Sequence, residues 1–459
     1  MKKLTILITA ILALSMILGA CAPVNPQEPV ETDPPQTDPE QTYPGGEEVV
    51  EPEKPEEPVN QDIDLTGGLA YITDPSVSED DLNDHAEDLN EFALDLYHQL
   101  AKEEGNLVYS PYSIYQAFLM VYAGADTETR SQIADVLDID LEDGDLVHEW
   151  MNALNLKLAE LPDYMPEGSQ PLVFNVANAL WAQKDFHFEQ AFLDKLSANY
   201  NAGLKLVDFS NPEEARQVIN LWVAAQTNDK IKDLIPQGML NEMTRLVITN
   251  AIYFKGAWQN RFDESHTKNA PFYLLDGSQV EVEMMSNSFN GVALVDDSFT
   301  AVRLPYEGGN YAMALLMPNG DFKDFESTLD EDSFGDILNR LEDGYMRIDF
   351  QMPRFTTESS FSLADQLKAL GMENAFDPTL ADFTQITGQK DLYISDVVHQ
   401  AFIDVNEEGT EAAAATAIGM TTTSMPIESY EITLDHPFIY VIYEQTTNTI
   451  VFMGRFVKP

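Results

Sequence analysis

The chain reads as an α+β fold with large antiparallel or mixed sheets, and three observations predict that class. Helical periods concentrate early in the body, strand-like runs dominate later, and few units alternate strand with helical crossover. No internal repeat period breaks the pattern, so the body is expected to be one domain.

The elements follow in order. Over residues 84–101, Leu89, Phe92, Ala93, Leu96, Tyr97 and Leu100 recur at helical spacing, and Gly105-Asn106 ends that helix. A second helix opens at Ser110-Pro111, with Ser110 as N-cap and Pro111 in the first turn. Residues 114–123 are almost wholly apolar, which predicts a helix buried all round. β-Branched and aromatic enrichment predicts strands over 172–181, 245–254, 292–304, 311–317, 346–352, 393–405 and 439–456. Helical patterns fill gaps between them, notably 213–231 and 362–370.

The N-terminus has a different character. Lys2 and Lys3 precede an apolar run over 4–18 and then Gly19-Ala20-Cys21, the pattern of an export signal. The run is shorter than the roughly 20 residues a spanning helix needs. Leu18-Gly19-Ala20-Cys21 also resembles a bacterial lipobox, whose cysteine is acylated; the alternative is an ordinary secretion signal with a chance cysteine. Cys21 is the only cysteine, so no internal disulfide and no cysteine-based catalytic or zinc site can form. A lipid anchor is the reading that uses it. Beyond it, proline, acidic residues, threonine and glutamine dominate a stretch too poor in apolar surface to offset its ordering entropy. The expected organisation is a signal peptide over 1–21, a disordered acidic Pro-rich tether over 22–80, and a folded body over 81–459.

Formal net charge is −53, from 25 basic and 78 acidic residues. A surface so acidic repels nucleic acid and anionic polysaccharide, so neither is an expected partner. The charge mainly serves solubility. An enzyme reading finds no G-x-S-x-G elbow, no H-E-x-x-H, no glycine-rich phosphate loop and no clustered His/Cys ligands. The seven histidines (His85, His98, His148, His187, His266, His399 and His436) are scattered along the chain. No catalytic residue, metal site or cofactor is expected.

Residues 405–430 stand apart. Val405-Asn406-Glu407-Glu408-Gly409-Thr410-Glu411 leads into Ala412, Ala413, Ala414 and Ala415, then Thr416-Ala417-Ile418-Gly419-Met420-Thr421-Thr422-Thr423-Ser424-Met425-Pro426. Alanine content alone would call part of this a helix. At the strand period of two, one face carries Thr410, Ala412, Ala414, Thr416, Ile418 and Met420, small to apolar and without charge. Such a segment can live exposed and yet bury one face if added to a sheet, with Gly409 as a hinge.

At this point the chain resembles the serpin family of serine protease inhibitors. Glu407 through Thr416 is similar to the hinge of an inhibitory serpin, and Leu434-Asp435-His436-Pro437-Phe438-Ile439-Tyr440 to the signature after its reactive loop. Asn250-Ala251-Ile252-Tyr253-Phe254-Lys255-Gly256-Ala257-Trp258 resembles the third strand of sheet A and its tryptophan. Met352-Pro353-Arg354-Phe355, with Asp365-Gln366-Leu367-Lys368-Ala369-Leu370-Gly371-Met372, matches another family stretch, as does Asn106 through Ser110-Pro111-Tyr112-Ser113. The resemblance covers nearly everything after about residue 85.

It implies a serpin fold: three β-sheets with a large central sheet A, about eight to nine helices, and an exposed reactive-centre loop. It also implies a monomer that acts as a suicide substrate. A target protease acylates itself on the loop, the cleaved loop inserts into sheet A, and the covalent complex is trapped. By family spacing the reactive bond joins Thr423 to Ser424, a small uncharged pair that suits elastase-like or subtilisin-like proteases. Ser110, Ser113, Asn250 and His399 match the shutter under sheet A, and Trp258 the breach where the loop first enters. Uncharged Thr410 at the first inward position favours an inhibitor. The alternatives are a non-inhibitory serpin serving as a binding or chaperone-like surface lipoprotein, a surface hydrolase, for which no triad is visible, and a purely adhesive lipoprotein. The expected location is the outer face of a bacterial membrane, reached through the lipid anchor only.

Overall fold

The computed structural model describes residues 64–160, 172–342, 344–410 and 429–459. The elements are β1 (Asp64–Leu65), α1 (Glu79–Leu100), β2 (Leu107–Tyr109), α2 (Pro111–Tyr122), α3 (Thr127–Val136), α4 (Leu146–Leu158), β3 (Val173–Gln183), α5 (Gln190–Tyr200), β4 (Leu204–Val207) and α6 (Pro212–Gln226). Strands then prevail: β5 (Leu246–Ala257), β6 (Lys268–Tyr273), β7 (Gln279–Val295), β8 (Phe299–Pro305) and β9 (Tyr311–Pro318). After α7 (Phe322–Glu326) and α8 (Glu331–Arg340) come β10 (Tyr345–Pro353), β11 (Phe355–Ser362), α9 (Ala364–Leu370), α10 (Thr384–Thr387) and β12 (Ile394–Val405). The chain closes with β13 (Gly409–Thr410), β14 (Ser429–Thr433), β15 (Phe438–Glu444) and β16 (Ile450–Phe456).

The α+β class is as expected, and its detail differs in two ways. Ten α-helices lie among the described residues, against eight to nine expected. Their strands form two hydrogen-bonded sheets, where the resemblance implies three. One has seven strands in the order β1-β4-β3-β5-β13-β12-β11; the other has nine, β14-β10-β7-β8-β9-β15-β16-β2 with β6 on β7. The physical reason is β7. Its first part pairs with β6 and β10 and its last residues with β8, so one long strand welds what would be two smaller sheets.

Local chemistry explains the helix starts. The Ser78 side chain accepts the Asp81 amide, and Glu79, Asp80 and Asp81 complement the positive end of α1. Ser110 caps α2 by accepting the Ser113 amide, with Pro111 in the first turn as expected. α2 is buried along nearly its whole length because it is packed on both sides, against β3 and β5 of one sheet and β16 of the other. On the opposite face of β3 and β5, α6 covers a second apolar layer that includes Trp181, Ile219 and Val223. β5, covered on both faces, is accordingly buried at nearly every position.

Two expected strands are each a hairpin. Residues 292–304 break at Asp296, whose amide bonds the Phe299 carbonyl at 2.9 Å, and 439–456 breaks at the polar turn between β15 and β16. The expected tether also gives way to structure before residue 80. Asp64 and Leu65 pair antiparallel with Lys205 and Leu204, extending the seven-stranded sheet at its edge. Backbone groups then hold the segment along α5: Gly67 N–H donates to Ser197 Oγ (2.7 Å), Gly68 N–H to Asp194 Oδ1 (2.6 Å) and Ile72 N–H to the Ala198 carbonyl (2.9 Å). The Pro- and acid-rich composition that predicts disorder does not extend over Asp64–Ile72, where Leu65, Leu69, Tyr71 and Ile72 occur and a ready-made sheet edge supplies backbone partners.

Gly67 is a position where only glycine fits, since a Cβ there would sit 2.4 Å from the Leu193 carbonyl oxygen. Gly67→Val is therefore expected to lift this strap off the body without unfolding it. Hydrogen exchange at the Gly67, Gly68 and Ile72 amides should become fast while β5 stays protected, and unchanged exchange at those three amides would contradict the packing described.

Candidate functional site

The seam between β5 and β12 organises the candidate site. The two strands pair directly and in parallel, from Leu246–Ile394 to Ile252–Ala401. Four side chains stand in one row of cross-strand neighbours at this seam. Phe361 on β11 lies opposite His399 on β12, His399 opposite Asn250 on β5, and Asn250 opposite Asn178 on β3.

The row is hydrogen-bonded to the start of α2. His399 Nε2 accepts the Ser110 backbone N–H at 3.2 Å, so that nitrogen is unprotonated, and Nδ1–H donates to Asn250 Oδ1 at 2.6 Å. Asn250 Nδ2 donates to Asn178 Oδ1 (2.6 Å), which also accepts Ser113 Oγ (3.0 Å). Ser110 Oγ donates to the Val451 carbonyl at 2.7 Å, tying the cluster to the other sheet. Ser110, Ser113, Asn250 and His399, which sequence groups together, are thus in one network and all fully buried. Desolvation pushes the His399 pKa down to about 3, so the imidazole is neutral and the chain of donors and acceptors is complete.

Asn178 is the member that sequence reading missed. It stands on the same strand face as Phe174, Val176 and Leu180, and a lone amide on that apolar face was the available signal.

The upper end of the seam is built differently. After Val405 the chain turns tightly and returns as β13 between its neighbours. Thr410 pairs with Val405 of β12 and with Gly256 of β5, and Gly409 with Ala257, all antiparallel. A strand has begun to occupy the seam at this end. Gly409 approaches β5 so closely that a Cβ would fall 2.0 Å from the Gly256 carbonyl oxygen, which is why glycine stands here. Thr410 is fully buried, and its Oγ1 shares a 2.8 Å hydrogen bond with the Tyr306 hydroxyl.

Trp258 roofs the turn. Its ring stacks on Tyr306 at 4.6 Å between centroids, its indole N–H donates to the Asn406 carbonyl at 2.9 Å, and its backbone N–H to the Glu408 carbonyl at 2.8 Å. Glu407 is 2 % exposed. Its carboxylate accepts Thr267 Oγ1 (2.6 Å) and Arg354 Nη2 (2.5 Å). Burial alone would raise its pKa, but those hydrogen bonds hold the carboxyl below its ordinary range. Thr267, Tyr306 and the role of Arg354 were not legible in sequence, because their pairing with residues 407 and 410 joins distant segments. Ala412, Ala413, Ala414, Ala415, Thr416, Thr423, Ser424 and Cys21 lie outside the described residues.

The family model described as Serpin (serine protease inhibitor) matches residues 87–459. An uncharacterized serpin-like protein of Thermococcus kodakarensis is 38 % identical over 85 % of this chain and 90 % of its own length. Leukocyte elastase inhibitor A of Rattus norvegicus is 36 % identical over 80 % of this chain and 97 % of its own. The crystal structure of the thermophilic serpin tengpin in the native state superposes with a TM-score of 0.74 over 86 % of this chain and 98 % of that one, at 24 % identity.

The histidine network sets a pH dependence. The pKa of His399 is depressed from an ordinary 6.5 to about 3, and that of His148, desolvated on the buried face of α4 beside Tyr200, likewise. A depressed folded pKa stabilises the fold fully above about pH 6.5 and loses that contribution as pH falls towards 3, at up to ~1.4 kcal/mol per pH unit for each histidine. His399→Gln is expected to be less stable than the parent at neutral pH, with the gap narrowing between pH 6.5 and 4. Denaturant unfolding across that range tests it, and a gap independent of pH would refute the neutral tautomer.

Proposed function

Because the chain belongs to the serpin family, a family of protease inhibitors and not of enzymes, we propose that it is an inhibitory serpin that traps elastase-like or subtilisin-like serine proteases as covalent complexes. The observation that carries this reading is the start of β13 between β5 and β12. The strand that must fill the seam is already in register at its first two residues, and Thr410 presents a small neutral side chain to the interior.

A protease attacks the Thr423–Ser424 bond, the seryl hydroxyl of the enzyme adds to the Thr423 carbonyl, and the Ser424 amine leaves with a proton. The segment ahead of the ester is then released from its C-terminal tie. It continues β13 downward, separating β5 from β12 and exchanging one parallel ladder for two antiparallel ones. Each added hydrogen bond contributes on the order of 1 kcal/mol, so about ten inserted residues provide roughly 10 kcal/mol. That is comparable with the stability of a domain and suffices to drag and distort the attached protease.

In this reading His399, Asn250, Ser110 and Ser113 set the resistance of the seam, as a shutter. Trp258 with Tyr306 roofs the breach, and Glu407 anchored on Arg354 and Thr267 fixes the fulcrum. The preference for a small residue at Thr423 agrees with the name of the rat relative, leukocyte elastase inhibitor A. The lipobox-like Cys21 and the acidic segment behind it support display of a monomeric inhibitor outside the cell on a lipid anchor.

Incubation with an elastase-type protease should give a band of summed mass that survives denaturing electrophoresis, and a released peptide beginning at Ser424. Thr410 is already seated in the seam, so the test uses Ala414→Arg, two inward positions further along the same period-two face, which buries an unpaired cation only on insertion, at a cost of several kcal/mol. That variant is expected to be cleaved at the same bond with the covalent band reduced at least ten-fold. Equal covalent yield from the variant would refute insertion at this position as the trapping step.

A further inference from the structure

A cavity of about 580 Å³ lies between the inner face of β3 and helices α2 and α4, and seam opening as described does not use it. Phe174, Val176 and Asn178 alternate along β3 and so project to one side, into its wall. Tyr112 and Gln116 of α2 and Asn155 of α4 face them.

This wall is hydrogen-bonded into the seam. Tyr112 OH and Gln116 Nε2 both donate to Asn155 Oδ1, at 2.5 and 2.8 Å, and Asn178 Nδ2 donates to Gln116 Oε1 at 2.8 Å. Asn178 in turn accepts Asn250, the partner of His399. One continuous network therefore runs from the cavity to the pair of strands that must part.

The electrostatics of the wall select a ligand. Among the described residues no lysine, arginine or histidine lines the cavity, whereas two carboxylates, Glu160 and Glu307, do. Glu307 Oε1 accepts Arg261 Nη2 at 2.7 Å, but Glu307 Oε2 is buried without a hydrogen-bond partner. A buried carboxylate oxygen lacking a donor is costly, and a donor brought by a ligand relieves that cost. Aromatic side chains on three sides suit an apolar body, and a cation can also lie against their ring faces.

We propose that this cavity binds a small amphipathic amine, with its ammonium on Glu307 and its aromatic or aliphatic body against Phe174 and Tyr112, and that occupancy restrains opening of the seam. The restraint is mechanical. β3 and β5 are hydrogen-bonded from Val173–Lys255 to Ala182–Leu246, so they move as one unit when β5 leaves β12. A ligand wedged between β3 and the two helices opposes that slide. Slower insertion gives the protease more time to hydrolyse the ester and escape. The binding site stands independently of the inhibitory reading, whereas the coupling to insertion rests on it.

Calorimetric titration of the full chain with 1-naphthylmethylamine tests the site, with 1-naphthaleneacetate as the oppositely charged control. Saturable one-to-one binding of the amine is expected, at least ten-fold weaker for the carboxylate and for Glu307→Gln, which keeps Oε1 for Arg261. Ala202→Phe, which fills the cavity from the end of α5, should abolish binding. Equal binding by Glu307→Gln, equal binding of the carboxylate, or no saturation by about 5 mM amine overturns the site. The coupling is read as inhibitor consumed per protease inactivated, which saturating amine should raise at least two-fold in the parent and not in Glu307→Gln. No change overturns the coupling. A parent protein that forms no covalent complex sinks the inhibitory reading and the coupling together, while the calorimetry still decides the site.

Discussion

The direct parallel pairing of β5 with β12 is the constraint on which the rest of the molecule depends. β5 is buried along nearly its whole length and β12 along one face, so the sheet is well formed without any further strand. Yet at the upper end the same two strands already accept Gly409 and Thr410 between them. The sheet is therefore closed over most of its length and open at one end, as a seam must be if it is to part progressively. A uniform sheet would offer no place to start, and a fully opened one would have no stored ladder left to form.

A buried polar network lies directly beneath this pair of strands. Beneath the seam His399, Asn250, Asn178, Ser110 and Ser113 form one hydrogen-bonded network, closed by the Val451 carbonyl. A fully satisfied buried network gives a unique closed state. It does so through directional bonds that are exchanged when strands separate, whereas an apolar contact would leave a void. The turn at the upper end follows the same logic with charge. Glu407 is buried yet ionised because Arg354 and Thr267 meet it, and this pins the turn that leads into β13.

The edge of the same sheet shows how context alters a local rule. The segment from Asp64 to Ile72 is too short to fold alone, but β4 offers it a strand edge, and α5 offers the Ser197 and Asp194 side chains and the Ala198 carbonyl. Its Tyr71 also lines the cavity beside β3, so this added edge forms part of the surroundings of the seam network.

Much of this was legible in the linear chain. Helix α2 announced itself through Ser110-Pro111 and an unbroken apolar run, and the central strands through their β-branched and aromatic content, because capping and burial patterning are short-range properties. The unusual small-residue segment after Glu407 was visible for the same reason. Period-two patterning could not reveal that residues 292–304 and 439–456 each fold back, since a polar turn of a few residues does not alter the pattern on either side. Sequence by itself determined the class of fold, and resemblance to the family grouped Ser110, Ser113, Asn250 and His399, which the folded chain brings into one network. Only the tertiary structure decided that Asn178 completes the row, that Tyr306 and Arg354 hold Thr410 and Glu407, and that β7 merges two sheets into one. Those are meetings of segments tens to hundreds of residues apart, and cross-strand register and buried hydrogen bonds between distant residues exist only once the chain has folded.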